Sequence, residues 1–168
     1  MKLIMYPAIS LDGFIADMDG DCYSWIDDED EAEYVAAMAR CGCDIVGRNT
    51  YEQYKDEYDA KRNIVTFVCT NGTKYKNTTN LKFINGSATE IIKSIEKHGF
   101  KEAILSGGGE INGLFASAGL VDEIFISIYS LILGAGIPLF GSYKPRLDLQ
   151  LLSSNNDIEG IVKSHYKA

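Results

Sequence analysis

The run Leu105-Ser106-Gly107-Gly108-Gly109-Glu110-Ile111 joins an apolar stretch to a segment with helical apolar spacing. Glycines at such a junction let the backbone approach a ligand closely and accept positive φ. A helix starting behind them aims free N–H groups and its positive dipole end at whatever binds, which suits a pyrophosphate. The spacing is not G-x-G-x-x-G, because Asn112 stands where the last glycine belongs, and no Gly-Lys-Ser/Thr follows as in a P-loop. A tight strand-to-helix turn accounts for the same residues. A second junction, Gly47-Arg48-Asn49-Thr50-Tyr51-Glu52, also follows an apolar stretch. Arg48 and Thr50 can hold a phosphate by charge and hydroxyl, or be a surface arginine beside an ordinary helix cap. Two such junctions suggest a dinucleotide lying across the carboxyl ends of parallel strands. The third segment is Ala8-Ile9-Ser10-Leu11-Asp12-Gly13-Phe14-Ile15-Ala16. A strand end followed by a glycine loop can close over a planar ring, with backbone groups of Ala8 and Ile9 pairing with a carboxamide. Asp12 is the nearest carboxylate; a turn-forming aspartate is the plainer reading.

The elements that must position these residues follow from periodicity. Residues 2–10 read as a strand that bulges or loses pairing at Pro7, which cannot donate a ladder hydrogen bond. Residues 11–21 read as a loop. Asp28 or Asp30 caps a helix over about 31–40, with Val35, Met38 and Ala39 as its apolar face and Gly42 past its end. Strands follow at about 43–47, 63–70, 81–84 and 102–105. A short helix capped by Asn49 or Thr50 runs to about Tyr54, another capped by Ser87 or Thr89 runs to Lys97, and a third covers 111–117. A long strand spans 121–133, and the chain closes with strands at about 147–153 and 160–166. Alternating strands and helices predict βαβ units and a parallel sheet. The helix-free ending predicts an antiparallel edge. The expectation is one domain over residues 1–168, a three-layer α/β/α arrangement with a mixed, mostly parallel sheet.

Composition narrows the partners. The chain has 168 residues, 46% of them apolar, and a formal charge of −8. Its densest charge run is acidic, Asp27 to Glu31, the reverse of a nucleic-acid-binding stripe. No stretch approaches the roughly 18 apolar residues of a membrane span, and the apolar start is too short for a secretory core, so a cytoplasmic protein is expected. Cys22, Cys41, Cys43 and Cys69 form no CxxC pair, and only His98 and His165 are present to complete a metal set, so buried reduced thiols are expected and no metal.

The segments SLDGFIA, Trp25, GRNTYE, SGGGEINGLFASAGLVDEI and ILGAGIPLF occur in this order over nearly the whole chain. In this the chain resembles the dihydrofolate-reductase-like family, and within it the reductase domain of the riboflavin-biosynthesis bifunctional deaminase-reductase and its stand-alone relatives. The resemblance implies NADPH as hydride donor, a small-molecule substrate and a homodimer. By motif it places Ala8 and Ile9 against the nicotinamide, Ile15 and Ala16 along its ring, and Trp25 on the cofactor. Gly47, Arg48, Asn49 and Thr50 would grip phosphates and ribose. Thr70 and Asn71 would sit near the adenosine 2′-phosphate, and Gly107, Gly108, Gly109, Glu110, Ile111 and Leu114 would wrap the pyrophosphate.

The departures bear on the substrate. Those reductases carry arginines after the GRNTYE-like segment and a glutamate before the glycines; this chain has Gln53-Tyr54-Lys55-Asp56-Glu57-Tyr58 and Ser106. No H-x-E or P-C-x-x-C sequence supplies a deaminase. Dihydrofolate reductases keep a carboxylate shortly after the tryptophan; Asp27 or Asp28 falls near that place, or starts a solvated helix cap. The expected function is a reductase passing a hydride from NADPH to a pterin- or pyrimidine-like substrate, with Asp12, Asp27 or a bound water as proton source. The alternatives are a non-catalytic nucleotide-binding module and a dihydrofolate reductase.

Overall fold

Strand residues of this chain alternate between two buried faces, so helices must cover both. The structure is a computed structural model describing residues 1–60 and 63–168. In chain order its elements are β1 (Lys2–Met5), β2 (Ala8–Ser10), β3 (Phe14–Ala16), α1 (Asp28–Cys41), β4 (Cys43–Gly47), α2 (Arg48–Gln53), α3 (Lys55–Asp59), β5 (Val65–Cys69), β6 (Leu81–Ile84), α4 (Ala88–Lys97), β7 (Glu102–Gly107), α5 (Gly109–Ser117), β8 (Glu123–Tyr129), β9 (Ile137–Pro138), β10 (Gln150–Asn155) and β11 (Ile161–Lys167).

The main sheet runs β10-β11-β8-β1-β7-β4-β5-β6, with β2 also on β8. Pairs from β8 through β1, β7, β4 and β5 to β6 are parallel, and the β8–β11 and β11–β10 pairs are antiparallel. This is the expected mixed, mostly parallel α/β sheet with an antiparallel edge. On one face Leu3, Met5, Ile45, Phe67 and Leu105 pack against Ile91 and Ile95 of α4 and Phe115 of α5. On the other, Ile4 and Ile104 meet Ala37, Met38 and Cys41 of α1. Val46 and Val68 meet Tyr51 of α2. Pro7 interrupts the first strand without shifting its register: Met5 lies opposite Ile124, and Ala8 lies opposite Ser127. The Pro7 carbonyl still accepts from the Ser127 amide at 3.0 Å.

Several expectations are corrected. Neither Asp28 nor Asp30 caps α1. Asp27 does, with its side chain accepting from the Glu29 and Asp30 amides, so the helix starts earlier than residue 31. Its buried face is Asp30, Ala37, Met38 and Cys41, while Val35 and Ala39 face solvent. Met38 lies on the buried face as expected, whereas the inward side runs through Asp30, a polar residue buried against Ser127 and Tyr129, and not through Val35 or Ala39. Neither Asn49 nor Thr50 caps α2, which opens directly behind Gly47 with no side-chain cap. Of the two candidates for α4, Ser87 is the cap, in a reciprocal box with Glu90. The segment read as a loop over 11–21 contains β3, held in a two-stranded ribbon by β9. The long strand of 121–133 is the shorter β8. Among the described residues no helix is long and apolar enough to cross a membrane.

Candidate functional site

The sheet's central strands end side by side, and a cleft of about 1100 Å³, counted to its open mouth, lies over those ends. Its floor is Leu105, Ser106 and Gly108 at the end of β7. Pro7, Ala8, Ile15, Ala16, Ile26 and Ile137 give apolar walls. Tyrosines line it from several directions: Tyr6 behind β1, Tyr23 from the loop before α1, Tyr34 from α1, and Tyr54 and Tyr58 from the α2–α3 segment. Such rings bring large flat apolar area with a polar tip, the surface that sandwiches a planar ligand.

The acid groups of the cleft are Asp30 and Glu31 on the first turn of α1. Asp30 is 5% exposed, and its carboxylate is fully engaged. Ser127 donates to Oδ1 at 2.7 Å, Tyr129 donates to Oδ2 at 2.8 Å, and Lys163 forms an ion pair at 3.0 Å. Lys163 also pairs with Glu33, which accepts a hydrogen bond from Tyr6. Burial first, then the Glu33 carboxylate, pushes the Tyr6 phenol up to about 12. A second chain enters from below. Tyr34 donates to Ser106 at 2.7 Å, and Ser106 donates to the fully buried Asp44 at 3.3 Å. Cys22 also lines the cleft, its thiol raised by burial and 3.4 Å from the Tyr54 hydroxyl. Neither the Asp30 nor the Tyr34 network was anticipated. A signal existed for part of them, since Asp30, Tyr34, Met38 and Cys41 recur at helical spacing on one face. Ser127 and Lys163 lie 97 and 133 residues from Asp30 in the chain and had no local signal.

A second groove, of about 1250 Å³, opens past the ends of β5 and β6. It gathers Arg48, Thr70, Asn71, Ile111 and Leu114, all expected from sequence, and adds Lys74, Tyr75, Asn85 and Gly86. Arg48 and Lys74 face the one carboxylate of Glu52, at 3.8 and 3.1 Å. The two depressions share a border made of α2 and α5: Thr50 and Asn112 line the cleft, Arg48 and Ile111 the groove. The Thr50 hydroxyl accepts from the Gly108 amide at 2.9 Å and so joins the two strand-to-helix junctions. Gly107 sits at φ +86°, and the Gly107–Gly108 peptide is cis. A side chain at Gly108 would come within 3.2 Å of the Thr50 hydroxyl, and one at Gly47 within 2.8 Å of Ile111.

Other sequence candidates go elsewhere. Asp12 lies outside the cleft lining. Its carboxylate accepts from the Ser10 hydroxyl at 2.6 Å and from the Leu133 and Gly134 amides at 3.2 and 2.8 Å. The Ser10 hydroxyl first, then these amides, hold it below the usual carboxylate range, which suits a loop clamp rather than a proton source. Asp27 is the α1 cap and does not line the cleft either. Glu110 accepts from the Ser142 amide and hydroxyl at 2.7 and 2.8 Å. Gly109 is a packing glycine, since a side chain there would meet the Pro138 carbonyl at 2.4 Å. Asn49 is exposed and lines neither depression, and Ile9 lines neither. Trp25 stacks edge-on against Tyr129 at 5.1 Å, with its indole N–H buried and unpartnered.

Comparison with known proteins places this geometry. The protein YwjB of Bacillus subtilis is 28% identical over 98% of this chain and 97% of its own length; its function is uncharacterised. The crystal structure of a putative riboflavin biosynthesis protein from Shewanella sp. PV-4 superposes with a TM-score of 0.85 at 27% identity, covering 99% of this chain and 98% of that one. A dihydrofolate reductase from Enterococcus faecalis, solved with NADP(H) and RAB-propyl, shares the fold at a TM-score of 0.71 and 16% identity, over 99% and 95% of the two chains. The fold is therefore the dihydrofolate-reductase-like one. Residues 1–163 match the family model of the RibD C-terminal domain, and the chain belongs to that family.

Proposed function

We propose that the chain is an NADPH-dependent reductase that passes a hydride to a small heterocyclic, pterin- or pyrimidine-like substrate. The observation that carries this reading is the pair of depressions sharing the α2–α5 border, one lined by cations and hydroxyls, the other by apolar and aromatic groups. A dinucleotide has the same two-part character.

The residues present fit that cofactor. No side chain caps α5, whereas Asp27 and Ser87 cap α1 and α4. The α5 N-terminus thus keeps amides for a pyrophosphate. Arg48, Lys74, Thr70 and Asn71 offer charge and hydrogen bonds for a 2′-phosphate. Ala8, Ile15, Ala16 and Ile137 would wall the nicotinamide from water. When bound, NADPH supplies the hydride. The chain's own groups orient: tyrosines sandwich the substrate ring and Asp30 and Glu31 border its edge. Asp12 and Asp27 do not line the cleft, so of the three expected proton sources a bound water remains. We further propose a homodimer built on the exposed apolar side chains of β10 and β11. Incubating the full chain with NADPH and a panel of pterins, pyrimidines, imines and quinones tests the activity. Turnover seen as loss of dihydronicotinamide absorbance supports it, and no oxidation with any acceptor despite bound NADPH would leave a nucleotide-binding module instead.

A further inference from the structure

We infer that Asp12 is a positioning residue: its carboxylate latches the β3–β9 ribbon and so keeps that ribbon in place as one wall of the cleft. The inference rests on reading the cleft as the nicotinamide end of a cofactor site. Ile15 and Ala16 of β3 and Ile137 of β9 line that cleft.

The ribbon has little apolar packing to hold it. It forms a sheet apart from the main one, with Phe14 opposite Pro138 and Ala16 opposite Ile137. A two-stranded ribbon is marginally stable by itself. Both residues of β9 are exposed. Among the described residues, Phe14, Ile15, Ala16 and Ile137 join none of the apolar clusters that pack the sheet. At one end α5 fixes the ribbon, since Asn112 donates to the Leu139 carbonyl at 3.1 Å. At the other end main-chain pairing runs out. β2 and β8 stay in register to Ser10 and Tyr129, and the Leu11 amide still reaches the Leu131 carbonyl at 2.7 Å. Past that point Asp12 joins the two segments. Its Oδ1 accepts from the Leu133 amide at 3.2 Å and its Oδ2 from the Gly134 amide at 2.8 Å. Oδ1 also takes the Ser10 hydroxyl hydrogen at 2.6 Å, and the Ser10 oxygen accepts from the Phe14 amide at 3.0 Å. One run of hydrogen bonds thus passes from the first residue of β3, through Ser10 and Asp12, to the loop that leads into β9. Asp12 itself is exposed, but Ser10 is fully buried and fixes the carboxylate in place. Bonds to a carboxylate are about twice as strong as neutral ones. Both oxygens are used, so asparagine is no substitute: whichever way its amide faces, its own N–H meets an N–H of the loop.

The test compares the full wild-type chain with Asp12→Asn and Ser10→Ala, each checked for folding by circular dichroism. The probes are NADPH, which reaches both groove and cleft, and adenosine 2′,5′-bisphosphate, which carries the groove half alone. The groove lining contains no ribbon residue. Asp12→Asn should raise the Kd for NADPH about tenfold and leave that for the bisphosphate within about twofold. Ser10→Ala, which spares the two loop amides, should act in the same direction by about threefold. Hydrogen exchange at the Leu133 and Gly134 amides should be about tenfold or more faster in Asp12→Asn, with the main sheet unchanged. Unaltered NADPH affinity, equal weakening of both probes, or unaltered exchange at those two amides overturns the inference. The two readings fail separately. NADPH bound equally by all three proteins keeps the reductase and removes the positioning role. Neither probe bound by the wild type removes the cofactor reading, and the exchange rates then decide whether Asp12 holds the ribbon.

Discussion

Two acidic residues three positions apart at the start of α1 have opposite environments. Asp27 stands at the helix end in extended conformation and holds two amides, while Asp30, one turn on, points inward at Ser127, Tyr129 and Lys163. Asp27→Asn keeps an equally good cap, so turnover and stability should match the wild type. Asp27→Ala should lose about 1 kcal/mol in urea unfolding with little change in kcat. A large fall in kcat for Asp27→Asn, with Asp27→Ala no worse, would restore Asp27 to the chemistry. Arg48 is the residue-scale test of the groove. Arg48→Ala removes one charge-assisted contact and should raise the Kd for NADPH about tenfold while leaving that for NADH nearly unchanged. At this scale proximity was legible where residues share a strand-to-helix junction. Arg48, Thr70, Asn71, Ile111 and Leu114 do converge on one groove. It was not legible for Asp12 and Glu110, whose partners Gly134 and Ser142 lie 122 and 32 residues away.

At the scale of elements, periodicity and capping chemistry read α4 well because its evidence is local: Ser87 and Glu90 close a capping box and Ile91, Ile92 and Ile95 face inward. The ribbon of β3 and β9 escaped notice, since each is too short to show a period and is held only by the other. The link between α1 and β11 escaped for the same reason, and it matters more. Lys163 is 14% exposed and answers both Asp30 and Glu33. Burial alone would lower its pKa, but hydrogen bonds to Glu33 and Asp30 raise it above the ordinary lysine value. A folded-state pKa above the unfolded one stabilises fully below the unfolded value, near 10.4, and the gain is lost as pH rises through the folded value. Lys163→Met leaves a buried carboxylate uncompensated and should cost about 3–5 kcal/mol at neutral pH. The gap from the wild type should close in the alkaline range, and the double variant with Asp30→Asn should recover part of the loss. A Lys163→Met protein as stable as the wild type in urea at neutral pH would contradict the coupling.

At the scale of the molecule, alternation of strands and helices predicted the mixed sheet because βαβ units leave little choice of topology. The strand order, with β1 between β7 and β8, puts the N-terminal β1 and the C-terminal β11 on either side of β8. The antiparallel end of that sheet leaves Leu151, Leu152 and Val162 at 54%, 47% and 47% exposure, apolar side chains that the proposed second copy would cover. Light scattering should give about twice the chain mass of 18.5 kDa, and Leu151→Lys with Leu152→Lys should halve it; a monomeric wild type would remove the dimer. The central claim, that the shared border of groove and cleft seats NADPH, is tested most directly by titrating the purified chain with NADPH and NADH in parallel and following protein fluorescence. The account predicts saturable NADPH binding at least about tenfold tighter than NADH, set by the 2′-phosphate contacts. Binding of neither dinucleotide would contradict it and leave a dihydrofolate-reductase-like fold without the reductase function.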